Sequence, residues 1–182
     1  MSVRTLAPVL AAVTAALTLL PAPARATADP DPVREARELS AAAKSTAKYA
    51  NEALAIKDGW IRTDECASDP KSGGIGYHYV NPKYVGSVDP NTPATLVYAD
   101  GPKGRELVAA EWVVNDGDGT LETTDDRPYL FGMPFDGPMP GHVFGQPHHY
   151  ELHVWLFRNN PRGKFAVHNP NVTCPVAASP AR

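Results

Sequence analysis

Four histidines in this chain have neighbours and spacings that suit metal binding. His149 and His153 are four residues apart, with Glu151 midway between them. His142 ends a run rich in proline and glycine, and His78 stands far upstream between two tyrosines. Imidazole nitrogen is a common ligand for zinc, copper, nickel and non-haem iron. We therefore predict that His78, His142, His149 and His153 are metal ligands.

The segment around His149 and His153 has the pattern of a β-strand. Apolar residues at 150, 152, 154 and 156 alternate with His149, Glu151, His153 and Trp155. This period of two is typical of a half-buried strand and places the first three of these polar residues on one face. A helix would also align residues four apart. We favour the strand because residues 160–163 (NPRG) form a turn signal, after which residues 164–167 are predicted to run back as its partner.

The four histidines are predicted to converge on one ion of zinc, copper or iron. Residues 143–148 are long enough to fold His142 back, and pairing with the histidine strand would bring in His78. Glu151 is the candidate catalytic residue, as a base, and it could instead be a fourth ligand or an orienting group. Four bound histidines would close the site for structure or storage, whereas three would leave a position for activating water or dioxygen. Whether the protein is an enzyme stays open.

Two other functions compete with metal binding. One is a pocket for a small organic ligand without metal, lined by Trp155, Phe135, Tyr77 and Tyr79. The other is a structural or interaction protein whose histidines only form hydrogen bonds, the role predicted here for His148 and His168. Familiar catalytic signatures such as HExxH and GxSxG are absent from the sequence.

The N-terminus predicts export. Arg4 precedes an apolar stretch over residues 6–20 and small residues near 24–28, which together indicate a signal peptide over residues 1–28. Residues 29–176 are predicted to form one domain, followed by a frayed tail at 177–182.

Removing the leader takes away Arg4 and Arg25 and no acid, so the formal net charge changes from −3 to −5. An acidic domain without a basic run offers nucleic acid or an anionic membrane surface nothing to bind. The expected partner is a metal ion or small ligand, and the expected location is extracellular.

Cys66 and Cys174 are the only cysteines. In an oxidising compartment an even number of cysteines indicates disulfide formation, so we predict one bridge between them. It would connect the region after the N-terminal helix to the end of the histidine segment.

The remaining pattern predicts an α+β fold. Asp31 and Pro32 mark a helix start, and residues 33–57 are predicted as one helix ending at Asp58-Gly59, after which Trp60 and Ile61 enter the core. Its apolar stripe is predicted to comprise Ala36, Leu39, Ala43, Ala47, Ala50 and Leu54.

Residues 66–74 are predicted as a polar loop. Residues 77–80, 96–98 and 107–114 are predicted as strands, the last two joined by a hairpin loop at residues 100–104, in an antiparallel sheet of about four to six strands. Residues 131–145 are predicted to form an ordered loop across this sheet.

Several of these segments together resemble a family of exported bacterial proteins of unassigned function. The resemblance rests on GxGYHYVNP at residues 74–82, on FDGPMPGH at 135–142 with HYELHVWLF at 149–157, and on NPRGKF followed by HNPNVTC. It extends over most of residues 29–176 and implies export. It implies no activity, cofactor or catalytic residue.

Overall fold

The described part of the chain begins with a helix whose start is determined by its capping residues. The computed structural model describes residues 31–175, and it begins with α1 at Pro32–Thr46. The Asp31 side chain caps α1 by accepting from the backbone N–H groups of Val33 and Arg34, and proline occupies the first helical position, as predicted. The signal peptide predicted at residues 1–28 and the tail predicted at 177–182 lie outside the described residues.

The predicted single helix is divided. A 3-10 helix at Ala47–Ala50 follows α1, and a short helix α2 spans Glu52–Lys57, capped by the Asn51 side chain. The predicted apolar stripe is correct only in part: Leu39 and Leu54 pack against the core, but Ala36, Ala47 and Ala50 are exposed. The buried positions are Ala42, Thr46, Tyr49 and Ala55. Two of these four are alanines at other positions than predicted, and the buried Thr46 hydroxyl donates to the Ala42 carbonyl.

The rest of the structure is dominated by a six-stranded antiparallel sheet, within the predicted range. Its strands lie in the order β1-β2-β3-β4-β8-β7, and β5 and β6 form a separate two-stranded ribbon. The bounds are Cys66–Asp69 (β1), Gly73–Val80 (β2), Thr95–Gly101 (β3), Gly104–Asn115 (β4), Tyr129–Leu130 (β5), Met133–Pro134 (β6), Asp136–Met139 (β7) and His149–Val154 (β8). Helix and antiparallel sheet thus occupy separate parts of the chain, a mixed architecture in keeping with the α+β class.

Three local predictions need correction. Residues 66–69 form β1, where a polar loop was predicted, because the pairing of Cys66 with Tyr77 extends the sheet by one strand. Residues 164–167 form no strand and contribute one ladder-like bond, from Trp155 N to Lys164 O. Ile61 is 59% exposed, whereas Trp60 is buried as expected. Ile61 nevertheless forms an isolated bridge with Val80, so its backbone is fixed while its side chain faces out.

The two faces of the sheet have different coverings. On the first face, Tyr150, Leu152 and Val154 pack with Trp112 and with Ala42 of α1. Residues 131–145 were predicted as an ordered loop across the sheet, but this segment contains β6 and the edge strand β7. Its Phe131 and Phe135 are buried in this same core. On the opposite face, a smaller apolar cluster includes Val97, Ala109, Trp155 and Val172, the last from the C-terminal segment. The histidines share this second face.

Cys66 and Cys174 form a disulfide, as predicted, across a sequence separation of 108 residues. The bridge attaches the C-terminal segment to the edge strand β1. Hydrogen bonds between Gly74 and Val172 and between Asn169 and Gly74 reinforce this attachment. Within residues 31–175, every helix is too short or too polar to cross a bilayer.

Candidate metal centre

Strand β8 places three polar side chains in the interior of the protein. Tyr150, Leu152 and Val154 enter the core beneath α1, so His149, Glu151 and His153 point to the opposite face, as the alternation predicted. All six residues of β8 are buried, which differs from the half-buried strand that was expected. β8 is an interior strand between β4 and β7, and its polar face lines a cavity rather than open solvent.

The first group of potential ligands comprises His78, Glu111 and His153. Glu111 on β4 is the direct register partner of His153 on β8, and its Oε1 lies 3.4 Å from His153 Nε2. Glu111 Oε2 lies 3.9 Å from Nε2 of His78 on β2. Two atoms that each bind one zinc at about 2.0–2.1 Å can be separated by up to roughly 4 Å, so these distances fit a shared ion. This group therefore comes from three strands of one sheet.

The second group comprises His142, His149 and Glu151. Glu151 Oε2 lies 3.2 Å from His142 Nε2 and 3.5 Å from His149 Nε2. His142 comes from the connection between β7 and β8, where its backbone N–H donates to the Gln146 side chain at 2.9 Å. Its side chain is 59% exposed, whereas that of His149 is 1% exposed. The second group thus extends from the buried sheet face to the protein surface.

Glu151 faces both groups. Its Oε2 contacts the second group, and its Oε1 lies 3.8 Å from Nδ1 of His153 in the first. In each group, one potential ligand atom from each of the three residues lies within 4.8 Å of the other two. The two groups share no residue. Asp136 on β7 is the register partner of Glu151 and adds a third carboxylate at the edge of the site.

Three buried imidazole nitrogens in these groups have no hydrogen-bond partner. They are Nε2 of His149 and both ring nitrogens of His153. His149 Nδ1 lies 3.2 Å from the Pro147 carbonyl, which can only accept, so Nδ1 carries a proton and Nε2 is the nitrogen that faces Glu151. A metal-binding histidine is commonly oriented by this kind of bond from its other nitrogen. Buried polar atoms without partners are rare, and an ion or water is a usual explanation.

Burial and neighbouring side chains shift the pKa values of Glu111 and Glu151 in opposite directions. Burial and the neighbouring Glu151 carboxylate raise the pKa of Glu111 well above its ordinary value. Burial acts in the same direction on Glu151, but its interactions with His149, His153 and Glu111 outweigh burial, so the pKa of Glu151 falls well below its usual range. Two carboxylates that share a buried site separate in this way because both cannot ionise without a compensating charge.

The histidines also divide by environment. Burial lowers the pKa of His78 to about 4 and lowers that of His153, which keeps both rings neutral at neutral pH. The adjacent Glu151 carboxylate raises the pKa of His149. Neutral imidazole and ionised carboxylate are the forms that bind metal. His78, His153 and Glu151 are therefore already in a binding form before an ion arrives.

Both groups line one cavity of about 790 Å³. The wall beyond the histidines is largely apolar and includes Val80, Val85, Val113 and Pro147. This size is within the range of small-molecule sites. The four aromatic residues predicted to line a ligand pocket do not line this one: Tyr77, Tyr79, Phe135 and Trp155 are all buried in the apolar clusters.

The structure brings all four predicted histidines to this cavity but arranges them as two pairs, each with a glutamate. The ring centroids are 5.8 Å apart for His78 and His153 and 4.9 Å apart for His142 and His149. His148 lies outside both groups and contacts the Gly119 carbonyl through Nδ1 at 2.9 Å, and His168 is also outside them.

Glu111 is the residue that the sequence interpretation missed. It was included in the predicted strand over residues 107–114 without any role. The available signal was a single charged residue in the middle of the run LVAAEWVV. A lone charge inside a buried strand requires a partner, and here the partners are histidines from β2 and β8.

No protein-family model, curated protein or solved structure matches this chain. The fold and the site define a mixed α+β protein in which helices pack on an antiparallel sheet. Two groups of histidine and glutamate side chains are positioned so that they could hold a metal.

Proposed function

We propose that this protein is exported and binds a transition metal ion, zinc, copper or iron, through the histidines and glutamates on the inner face of its sheet. The observation that carries the proposal is the set of buried, unpartnered imidazole nitrogens beside carboxylates: Nε2 of His149 and of His153. Each is within 3.5 Å of a glutamate oxygen. A bound cation would satisfy these nitrogens and offset the clustering of buried acids.

The donor set favours a transition metal over calcium or magnesium. Calcium and magnesium prefer oxygen ligands, whereas mixed imidazole and carboxylate ligation suits zinc and non-haem iron. Two histidines with one carboxylate is a ligand set of catalytic zinc and of iron oxygenases, in which other coordination positions stay open. The cavity beside the groups offers room for water or a small molecule at such a position.

Glu151 enters this proposal as a ligand. It is close to His142, His149 and His153, and its lowered pKa makes it a weak proton acceptor. An efficient general base has a pKa near the working pH. The base role predicted from the sequence therefore has less support than ligation, and the proposal assigns no reaction.

Export is part of the proposal and rests on the leader over residues 1–28 and on the resemblance to exported bacterial proteins. The Cys66–Cys174 disulfide supports it, since such bonds persist mainly in oxidising compartments.

The test is elemental analysis of untagged protein exported by a bacterial host. We expect close to stoichiometric transition metal, with large losses in His149→Ala and His153→Ala and no loss in the matched control His168→Ala. Metal below about a tenth of an equivalent, with no uptake when zinc or copper is added, would refute the proposal. Circular dichroism establishes that each variant is folded before its metal content is compared.

A second candidate function is binding of a small organic molecule without metal, which the 790 Å³ cavity and its apolar wall favour. The two functions differ in their response to chelation. Ligands identified by a thermal-shift screen would still bind in excess chelator if the cavity works without metal. Binding that disappears with the metal would assign the cavity to the metal site instead.

A further inference from the structure

We propose that the cavity holds two metal ions at once, one in the group His78, Glu111 and His153 and one in the group His142, His149 and Glu151. This inference rests on the proposed function and specifies its stoichiometry. Its first support is that the two ligand groups are complete and separate: each offers two imidazoles and one carboxylate, and no residue belongs to both.

The second support is that each group contains its own unsatisfied buried imidazole. His153 Nε2 belongs to the first group and His149 Nε2 to the second, and neither has a hydrogen-bond partner. An ion in one group would satisfy only that group's nitrogen. The other would remain buried without a partner, which is unfavourable. Two ions would give both Nε2 atoms a partner, and His153 Nδ1 would then carry the ring proton and face Glu151 Oε1 at 3.8 Å.

The third support is the position of Glu151. One of its oxygens faces His142 and His149, and the other lies 3.8 Å from His153 Nδ1. A carboxylate between two ligand groups offsets the repulsion between two cations. Glu111 supplies a second negative charge when ionised, and Asp136, opposite Glu151 in the register, supplies a third. Di-iron and di-manganese carboxylate proteins hold two ions with glutamate and histidine ligands of this kind.

Because the two ligand groups differ in solvent exposure, we expect their bound ions to exchange at different rates. Glu111 and His153 side chains are 5% and 2% exposed, and His78 is 24% exposed. His142 in the second group is 59% exposed and belongs to a connecting segment rather than a strand. The ion in the second group should therefore leave first when a chelator is added, and the ion in the first group should leave more slowly.

The experiment is a Co²⁺ titration of metal-free, untagged, exported protein, followed by absorption and equilibrium dialysis. We expect two equivalents per chain at saturation. Glu111→Gln should retain one equivalent, His142→Ala should retain the other, and the double variant should retain none. His168→Ala serves as the matched control with two equivalents. If Glu111→Gln fails to fold, His78→Ala takes its place, because that side chain is partly exposed.

The outcomes separate the two proposals. Saturation at one equivalent, or loss of all binding in either single variant, overturns the two-ion inference and leaves metal binding standing. Absence of any Co²⁺, Zn²⁺ or Cu²⁺ binding overturns both. Two equivalents in the wild type and one in each single variant, with magnetic coupling between the Co²⁺ ions by electron paramagnetic resonance, support two adjacent sites.

Discussion

Glu111 and His153 face each other across the β4–β8 ladder, with Glu111 Oε1 3.4 Å from His153 Nε2, and both side chains are almost completely buried. A carboxylate and an imidazole directly opposed inside a sheet would normally form a hydrogen-bonded pair, yet both nitrogens of His153 lack a partner. His153 Nε2 and Glu111 Oε1 are therefore the two buried donor atoms that a bound cation would satisfy most directly.

The two glutamates should respond differently to neutralisation in the metal-free protein. Burial and the neighbouring Glu151 carboxylate raise the pKa of Glu111 well above its ordinary value, which favours the neutral carboxyl, and Glu111→Gln keeps a neutral group of similar shape there. We expect a change in unfolding free energy of under about 1 kcal/mol. Glu151→Gln removes a charge that contacts three histidines and should cost about 1.5–3 kcal/mol. Urea denaturation at pH 7 in chelator measures both, and equal costs would contradict the assigned protonation states.

The stability of the metal-free protein should fall as pH drops from about 6.5 towards 4. The pKa of His78 is lowered from 6.5 to about 4 by burial, so the unfolded chain takes up a proton in this range before the folded protein does. His153 is shifted in the same direction. A lowered histidine pKa thus stabilises the folded state above pH 6.5, and this contribution is lost on acidification, by at most about 3 kcal/mol for His78.

The pH effect is measured by urea denaturation between pH 7 and pH 4 in a chelator that remains effective there. His78→Asn is the matched variant, and its stability should decline less steeply because one titrating ring is gone. An unchanged slope in His78→Asn would show that other groups govern the acid response.

Gly76 should tolerate no side chain. Its φ is +116°, and a Cβ there would lie 2.3 Å from the Tyr98 carbonyl oxygen on β3. Gly76→Ala should therefore cost about 3 kcal/mol or more and disturb β2, which carries His78 two residues later. Gly104 is the control, since it has the same φ but nothing within 4 Å of its Cβ position. Gly104→Ala should cost about 1 kcal/mol from backbone strain alone. Similar melting temperatures for the two variants would contradict the clash.

Removal of the disulfide should lower stability without removing the metal site. The Cys66–Cys174 bridge closes a loop of more than 100 residues, for which the chain-entropy model gives up to about 4–5 kcal/mol. The Cys66→Ser/Cys174→Ser double variant should melt about 10 °C lower than the wild type. Its metal content at 20 °C should be unchanged, because neither cysteine is in a ligand group. Loss of metal from a variant that is still folded would contradict this separation.

Local patterns in the sequence determined several features correctly. Asp31 and Pro32 fixed the start of α1, because capping depends on neighbours only two or three residues away. The alternation over residues 149–154 established which side chains of β8 point towards the core, because a strand's period is independent of its partners. The turn residues at 100–104 correctly predicted the β3–β4 hairpin, although the strands extend further into this segment and pair Gly101 with Gly104.

Only the tertiary structure decided the composition of the site. Glu111 opposes His153 because β4 and β8, separated by more than 30 residues of chain, pair in one register. A shift by one residue would send Glu111 to the other face, and nothing local to either strand specifies that register. The division of four histidines into two groups has the same origin: β2 brings His78 to Glu111, whereas the β7–β8 connection brings His142 to Glu151. Residue types and spacing indicated four candidate histidine ligands and Glu151 by their chemistry, whereas strand order and loop path decided which of these side chains meet and added Glu111.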